Sequence, residues 1–365
     1  MEKVSGRGSL ERPVTVVPLR AAGCVTSGQS NTRPRQRPDS MPTTSSPCRH
    51  VWILLIGIVV AETGQAVPVS ASEYWVAPDG DDRLDGTSRR TAWASPSRGQ
   101  PTRTSEAVPR GGLKLPVYST EGFLDSGRLR IGKHVVAYVS RTERSFVLAG
   151  PWPENIAAAA RVYDADLLGG KSFAPGDVIL LAGGEWIDRP LHFCQSGAAD
   201  RPITYRPAPG HRPRLVSTRF DRSPVRHLGS RRSPTTTHVV LSGLDIRNAA
   251  DGNHGASGLD LIGLSRVLVS DCRIHISGRD INGDNNAIRL FQCDRVTITG
   301  CRLHSRFANA VAAWNTTATR VDHCVIYECF QGISANGGTY VSHLDVDHCT
   351  FYASHRYGAL GSESS

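Results

Sequence analysis

The chain's densest cluster of Asp, His and Arg lies between residues 247 and 314. One column, Arg247, His275, His304, Tyr327 and Tyr352, recurs at nearly regular spacing. Around it stand Asp251, Asn253, His254, Arg279, Asp280, Asp284 and Asn285 in loop-like stretches, then the pair Asp260 and Arg289, then Arg306 and Trp314. Two chemistries fit these residue types. Elimination across a uronic sugar needs a base for the C5 proton and a cation for the enolate-like charge that develops. His275 or His304 supplies the base and Arg289 or Arg306 the cation, with Asp280 and Asp284 as a calcium pair. Glycosidic hydrolysis instead needs two carboxylates flanking the bond, and Asp280 with Asp284, or Asp260 with Asp280, are the candidates. His254, Asp260, Arg306 and Trp314 would contact the sugar, Trp314 by stacking. A plainer reading stands beside both. A repeated histidine is a polar turn stack, and Asp260 opposite Arg289 is a cross-strand ion pair of about 0.2–1 kcal/mol.

These residues must be held by a repeating element. Five segments superpose: VVLSGLDIRN from Val239, VLVSDCRIHI from Val267, VTITGCRLHS from Val296, TRVDHCVIYE from Thr319 and LDVDHCTFYA from Leu344. The column Leu244, Cys272, Cys301, Cys324, Cys349 steps by 28, 29, 23 and 25 residues. A second short apolar piece follows each segment, such as GLDL at Gly258 and AIRL at Ala287. Self-similarity of this period, with period-2 alternation inside each unit, marks a β-solenoid whose coils bury their apolar sides only by stacking. Alternation puts Val267, Val269, Cys272 and Ile274 on one side, with a phase slip at Ser270-Asp271 where the strand must bend. One cysteine per coil spreads sulfurs along an axis. That favours packing as small hydrophobes over a zinc site, which needs converging ligands.

In chain order, residues 1–40 are rich in Arg, Pro, Ser and Gly without hydrophobic period, and read as a disordered leader. Residues 41–71 read as an export signal: Met41, Arg49-His50, the apolar run Val51–Ala61, and small residues at Val69-Ser70-Ala71. Translation would then begin at Met41, and the mature chain would be secreted, periplasmic or on the cell surface, with no membrane span. The alternative is a short uncleaved anchor. Residues 72–95 read as a first strand and turns of the solenoid domain. Their run Asp79, Asp81, Asp82, Asp85 suits turns better than a calcium loop, because the EF-hand spacing is missing. Residues 96–160 read as an insertion with an antiparallel meander over Gly127–Ala149. Residues 156–166 are Ala-rich and predict a helix that covers the open end of the stack. Residues 161–365 form the domain that holds the regular coils, which begin near Phe173.

The stretch YWVAPDGDDRLDGT…TAW, followed by PGDVILLAGGEW…PLHF…RPITYRPAPGHRPRL and the GLDI…GLDL coils, resembles bacterial right-handed parallel β-helix proteins of the pectate-lyase-like superfamily. The resemblance covers roughly residues 73–95 and 170–360 and is specific for fold. It implies an all-β solenoid and leaves the activity open, because such folds carry polysaccharide lyases, glycoside hydrolases, epimerases and proteins without chemistry. The chain holds no lysine after Lys171, so a lysine base within the coils is excluded.

The formal charge is +9, but the basic leader supplies nearly half of it and the remaining Arg and Lys are scattered among acids, which argues against nucleic acid as a partner. A Ser/His/Asp triad, a P-loop and a dinucleotide fingerprint are absent. The partner expected is a polysaccharide, acidic if the lyase chemistry holds. The alternatives are a non-catalytic glycan-binding or adhesion solenoid and a purely structural one. Seven cysteines follow residue 71, an odd number, and the column members are expected reduced and buried. Only Gly-Ser-Glu-Ser-Ser follows the last coil, so the chain is expected either to be truncated or to associate end to end through that coil.

Overall fold

The structure, a computed structural model, describes residues 14–15, 71–229, 236–250, 256–278, 285–335, 341–354 and 357–361. Successive coils stack into three parallel sheets. Each regular coil contributes one strand to each sheet, as in Leu264–Ser270, Arg273–Ile276 and Ile288–Phe291. The first sheet runs from Glu73–Val76 through Val178–Leu181 to Ser342–Asp347, and the second from Gly184–Ile187 to Thr350–Tyr352. The third runs from Leu191–Phe193 to Tyr357–Gly361. Register is uniform: Val267 lies beside Val296, Ile274 beside Leu303 and Leu259 beside Ile288. Val14–Thr15 pairs antiparallel with Thr350 and Phe351 at the edge of the second sheet.

The phase slip read at Ser270-Asp271 is the corner between the first and second sheets. One residue there adopts the left-handed conformation in every regular coil: Gly243, Asp271, Gly300, His323 and His348, with φ between 47° and 66°. A single left-handed residue redirects the chain without a loop, so Val269 and Cys272 both point inward and are buried. Cys272, Cys301, Cys324 and Cys349 form an inward column, each thiol donating to a carbonyl of the preceding coil, at 3.7 Å from Cys301 to Val269 and 3.5 Å from Cys349 to Val321. All seven described cysteines are free thiols.

At the start of the stack Glu73–Val76 pairs parallel with Val178–Leu181. Tyr74 stacks on Trp93 at 5.3 Å and packs against Phe173 at 5.0 Å. This strand and its aromatic cluster occupy the place where a helix over residues 156–166 was expected. That expectation is wrong: Arg161–Asp164 is a strand, paired antiparallel with Thr102–Arg103 and with Leu129–Arg130. Ala159 sits at φ 62°, which no helix tolerates, and Val162 is fully buried in a neighbouring sheet. Sheet pairing and burial thus outweigh the alanine propensity of a segment too short to be helical alone.

The meander over Gly127–Ala149 is present as Gly127–Ile131, His134–Thr142 and Ser145–Leu148. With Lys114–Pro116, Arg161–Asp164 and Thr102–Arg103 it makes a six-stranded sheet around its own core of Leu115, Leu129, Tyr138, Phe146 and Trp152. This inserted sheet is fixed to the solenoid by polar contacts. Arg98 of the insertion donates to the Asp82 carbonyl at 2.8 Å, Arg222 pairs with Glu121 and Glu143 at 2.9 Å each, and Ser119 bonds His192 at 2.8 Å. The acidic run at 79–85 is spent locally: Asp82 accepts from the backbone of Ala94 and Ser95, and Asp79 pairs with Arg89.

Candidate functional site

On the second sheet Ile246, Ile274, Leu303 and Ile326 point inward and are buried, so their neighbours face out as two columns. The first reads Glu185, Arg214, Asp245, Arg273, Arg302, Val325, Thr350 in strict register. Its early members alternate in sign and pair. Arg214 bridges Glu185 and Asp245, and Asp245 also takes Arg247 at 3.1 Å. The alternation then stops. Arg273 lies directly beside Arg302, and neither has a carboxylate partner among the described residues. Like charges opposed on adjacent strands are destabilising, and Asp245, in register on the other side of Arg273, is already taken by Arg214 and Arg247.

The second column is the one singled out from the sequence: Arg247, His275, His304, Tyr327, Tyr352, in register. The rings of His275 and His304 stack at 4.0 Å and 7°, and Tyr327 follows His304 at 5.3 Å. His304 is only 3% exposed, with its Nε2 3.4 Å from the Glu328 carboxylate and its Nδ1 buried without a partner. Burial lowers the pKa of both imidazoles. At His304 the neighbouring His275 adds to the depression while Glu328 opposes it; at His275 Arg247 adds to it. Both are therefore neutral at neutral pH and able to accept a proton. Burial raises the Tyr327 pKa, against the pull of Arg273, so its hydroxyl keeps its proton.

Arg247, Arg273, His275, Arg302, Val325, Tyr327 and Tyr352 line an open groove of about 690 Å³. No carboxylate is among the described residues of that lining. The structure therefore brings together His275 and His304, and places Arg289 and Asp260 elsewhere. Those two face each other on the third sheet, where Arg289 donates to both Asp260 oxygens at 2.8 and 2.7 Å. Asp260 was read as one of an outward, sugar-contacting pair. Its side chain is 2% exposed and is also approached by Arg226 at 3.4 Å, so it is enclosed by arginines and unable to serve as a free carboxylate. Arg306 lies past the end of its strand with its guanidinium over Phe307, and Trp314 ends a strand of the third sheet beside Phe291. Neither lines the groove. Asp280, Asp284 and His254 lie outside the described residues, so no step is routed through the calcium pair. Among the described residues no group of three or more His, Cys, Asp or Glu converges as metal ligands.

Sequence reasoning missed Arg273 and Arg302. The signal was present as a duplicated Cys-Arg-apolar-His, at Cys272–His275 and Cys301–His304. It missed Glu328 because nothing in a linear pattern shows that a residue just past one strand reaches the histidine of the coil before.

Residues 233–365 match the family model described as the right handed beta helix region. The solenoid is a right-handed parallel β-helix. This is the fold implied by the pectate-lyase-like resemblance. No curated protein matches the chain. Among solved structures the β-helix is similar to pectate lyase Pel9A, at 12% identity and TM-score 0.42, over 73% of this chain and 51% of that one. It is also similar to the GH136 lacto-N-biosidase from Eubacterium ramulus, at 13% identity and TM-score 0.43, over 72% of this chain and 43% of that one. The alginate lyase from Paenibacillus sp. str. FPU-7 matches at 18% identity and TM-score 0.33, over 49% of this chain and 70% of that one. The chain thus spans about half the length of the pectate lyase and less than half of the lacto-N-biosidase. At such low identity chemistry has to be argued from the groove. No helix among the described residues is long and apolar enough to cross a membrane.

Proposed function

We propose that this β-helix binds an acidic polysaccharide along the outer face of its second sheet and cleaves it by elimination. The observation that carries this reading is the in-register pair Arg273 and Arg302, without a carboxylate partner among the described residues and set beside two stacked neutral imidazoles. A polyanion would supply the missing counter-charge. In the reaction the arginines hold the sugar carboxylate and stabilise the charge that spreads into it as the C5–H bond breaks. His275, the more accessible imidazole, takes that proton. The electron pair forms the C4–C5 double bond as the C4–O bond breaks, and the Tyr327 hydroxyl protonates the departing oxygen. Proton return from the imidazolium to the tyrosine through solvent resets the site. Hydrolysis has less support, because it needs two carboxylates and none is among the described residues of the lining. The export signal read at residues 41–71 agrees with a substrate outside the cell.

The test is incubation with polygalacturonate, alginate and a glucuronan, following the ultraviolet absorbance of the unsaturated product. His275→Ala is expected to lower the rate by about 10²–10⁴-fold, the range of a lost general base. Binding without product would select the other reading, a non-catalytic glycan-binding solenoid. Neither binding nor product on any acidic chain would reject the proposal.

A further inference from the structure

A second cationic concavity lies away from that groove, where the inserted sheet meets the third sheet of the β-helix. It has a volume of about 530 Å³, and the described residues of its wall include Lys114, Arg144 and Arg226 against one carboxylate, Glu106. Lys114 and Arg144 sit on the insertion, on paired strands or the turn between them, and both are exposed with no ion pair among the described residues. Arg226 comes from the β-helix, in register with His192 on one side and Asp260 on the other. Its Nε is buried and makes no hydrogen bond. The nearest carboxylate, Asp260, lies 3.4 Å away and is already held by both arms of Arg289. Arg226 Nε thus faces a carboxylate it must share with Arg289 and makes no hydrogen bond to it, which leaves a buried donor poorly satisfied. Lys114 and Arg144 add two further positive charges to the same wall.

We propose that this concavity is a second site for an acidic sugar unit. Its volume falls within the range of small-molecule sites, about 300–1,000 Å³. The cations would take the sugar's carboxylate or sulfate, with Arg226 giving the directed hydrogen bond. Tyr118, 45% exposed on the same wall, presents a ring face on which a sugar can lie. Glu106 and Thr142 supply acceptors for sugar hydroxyls, a function that a bare inorganic anion would not use. The insertion therefore does more than decorate the solenoid: it completes a site that neither part forms alone. This inference is independent of the elimination chemistry on the second sheet.

Calorimetry with tetragalacturonate at low ionic strength separates the two sites. Wild-type protein is expected to bind two equivalents per chain. Lys114→Ser with Arg144→Ser should remove one equivalent or weaken it at least tenfold. Arg273→Ser with Arg302→Ser should remove the other. A single equivalent lost only in the second pair would overturn this inference and leave the groove reading intact. A single equivalent lost only in the first pair would do the reverse. No binding at all would overturn both. A check free of folding artefacts uses the wild type: bound tetragalacturonate should slow acetylation of Lys114 several-fold but leave Lys133, held by Glu154 at the far edge of the insertion, unchanged. Equal labelling of Lys114 with and without the oligosaccharide would count against the site.

Discussion

At the residue scale, the imidazole pair His275 and His304 is tuned by opposing neighbours. Burial lowers both pKa values, with Arg247 adding to this at His275 and His275 adding to it at His304; Glu328 opposes the shift at both rings, and Asp245 opposes it at His275 as well. Removing that charge in Glu328→Gln should lower both further. The acidic limb of any pH–rate profile, and the imidazole titrations followed by NMR, should then move to lower pH; unchanged titrations would mean that Glu328 is only a surface neighbour. The arginine pair makes the complementary prediction. Because Arg273 and Arg302 oppose each other without a carboxylate partner among the described residues, Arg302→Thr should leave stability unchanged or raise it by about 0.2–1 kcal/mol while polyuronate binding falls. Loss of stability together with binding would show that the pair has a structural role. The histidine column was legible in the sequence because its spacing equals the coil repeat. The ion pair of Arg289 with Asp260 was legible as well, as the plainer reading of two opposed charges, but its place was not, because only the three-sheet geometry separates one outer face from another.

At the element scale, the corner between the first and second sheets controls the register of every coil. Gly300 occupies it at φ 64°, and a Cβ there would lie 2.7 Å from the Asp271 carboxylate of the preceding coil. Gly300→Val adds a β-branched side chain in the left-handed region and a close contact, and should cost about 2 kcal/mol. A thermal melt reads this directly, and a transition temperature equal to the wild type would mean that the corner is soft. Next to the corner, the thiol column is protected by the same packing. The two buried thiols outside that column are held protonated too, since burial pushes Cys293 up to about 11 and Cys329 to about 12. Native protein at pH 8 should therefore resist alkylation, and all seven described thiols should react after unfolding; rapid labelling of Cys272 or Cys301 in the native state would contradict inward stacking. The strands and this corner were readable as alternation with a slip. The misread segment at residues 156–166 shows the limit of local reading. Its fate is set by Leu129 and Arg103, partners more than twenty residues away, and composition cannot see them.

At the scale of the whole molecule, two buried histidines tie folding to pH. His192 hydrogen-bonds through Nδ1 to Ser119 of the insertion and through its backbone to Ser97, and faces Arg226 and Arg222. His227 packs on Phe193, bonds the Ile262 carbonyl and lies near Arg103, Arg226 and Arg161. Burial lowers each pKa to about 3 from the ordinary 6.5. Both are neutral in the folded protein over that range, whereas the unfolded chain binds a proton at each below about 6.5. The unfolded state then holds more protons, so stability rises with pH through this window and is lost as pH falls below about 6.5. Each group contributes a slope approaching about 1.4 kcal/mol per pH unit once the unfolded chain is protonated. Carboxylates whose pKa is lowered by pairing, such as Glu143 beside Arg219, add their loss only near and below their unfolded values, at more acid pH. Between about pH 4.5 and 6 the buried histidines are thus the groups that cost stability on acidification, while Glu121, whose pKa burial raises, acts in the opposite sense. Since Ser119–His192 is one of the bonds between the insertion and the β-helix, protonation should loosen that junction before the coils unwind. His192→Gln keeps a polar partner for Ser119 and removes the titration. Denaturant melts across pH 4.5–6 should then show a markedly shallower loss of stability than in the wild type, whatever the absolute cost of the substitution. A slope identical to the wild type would remove His192 from this account and leave His227 to carry it.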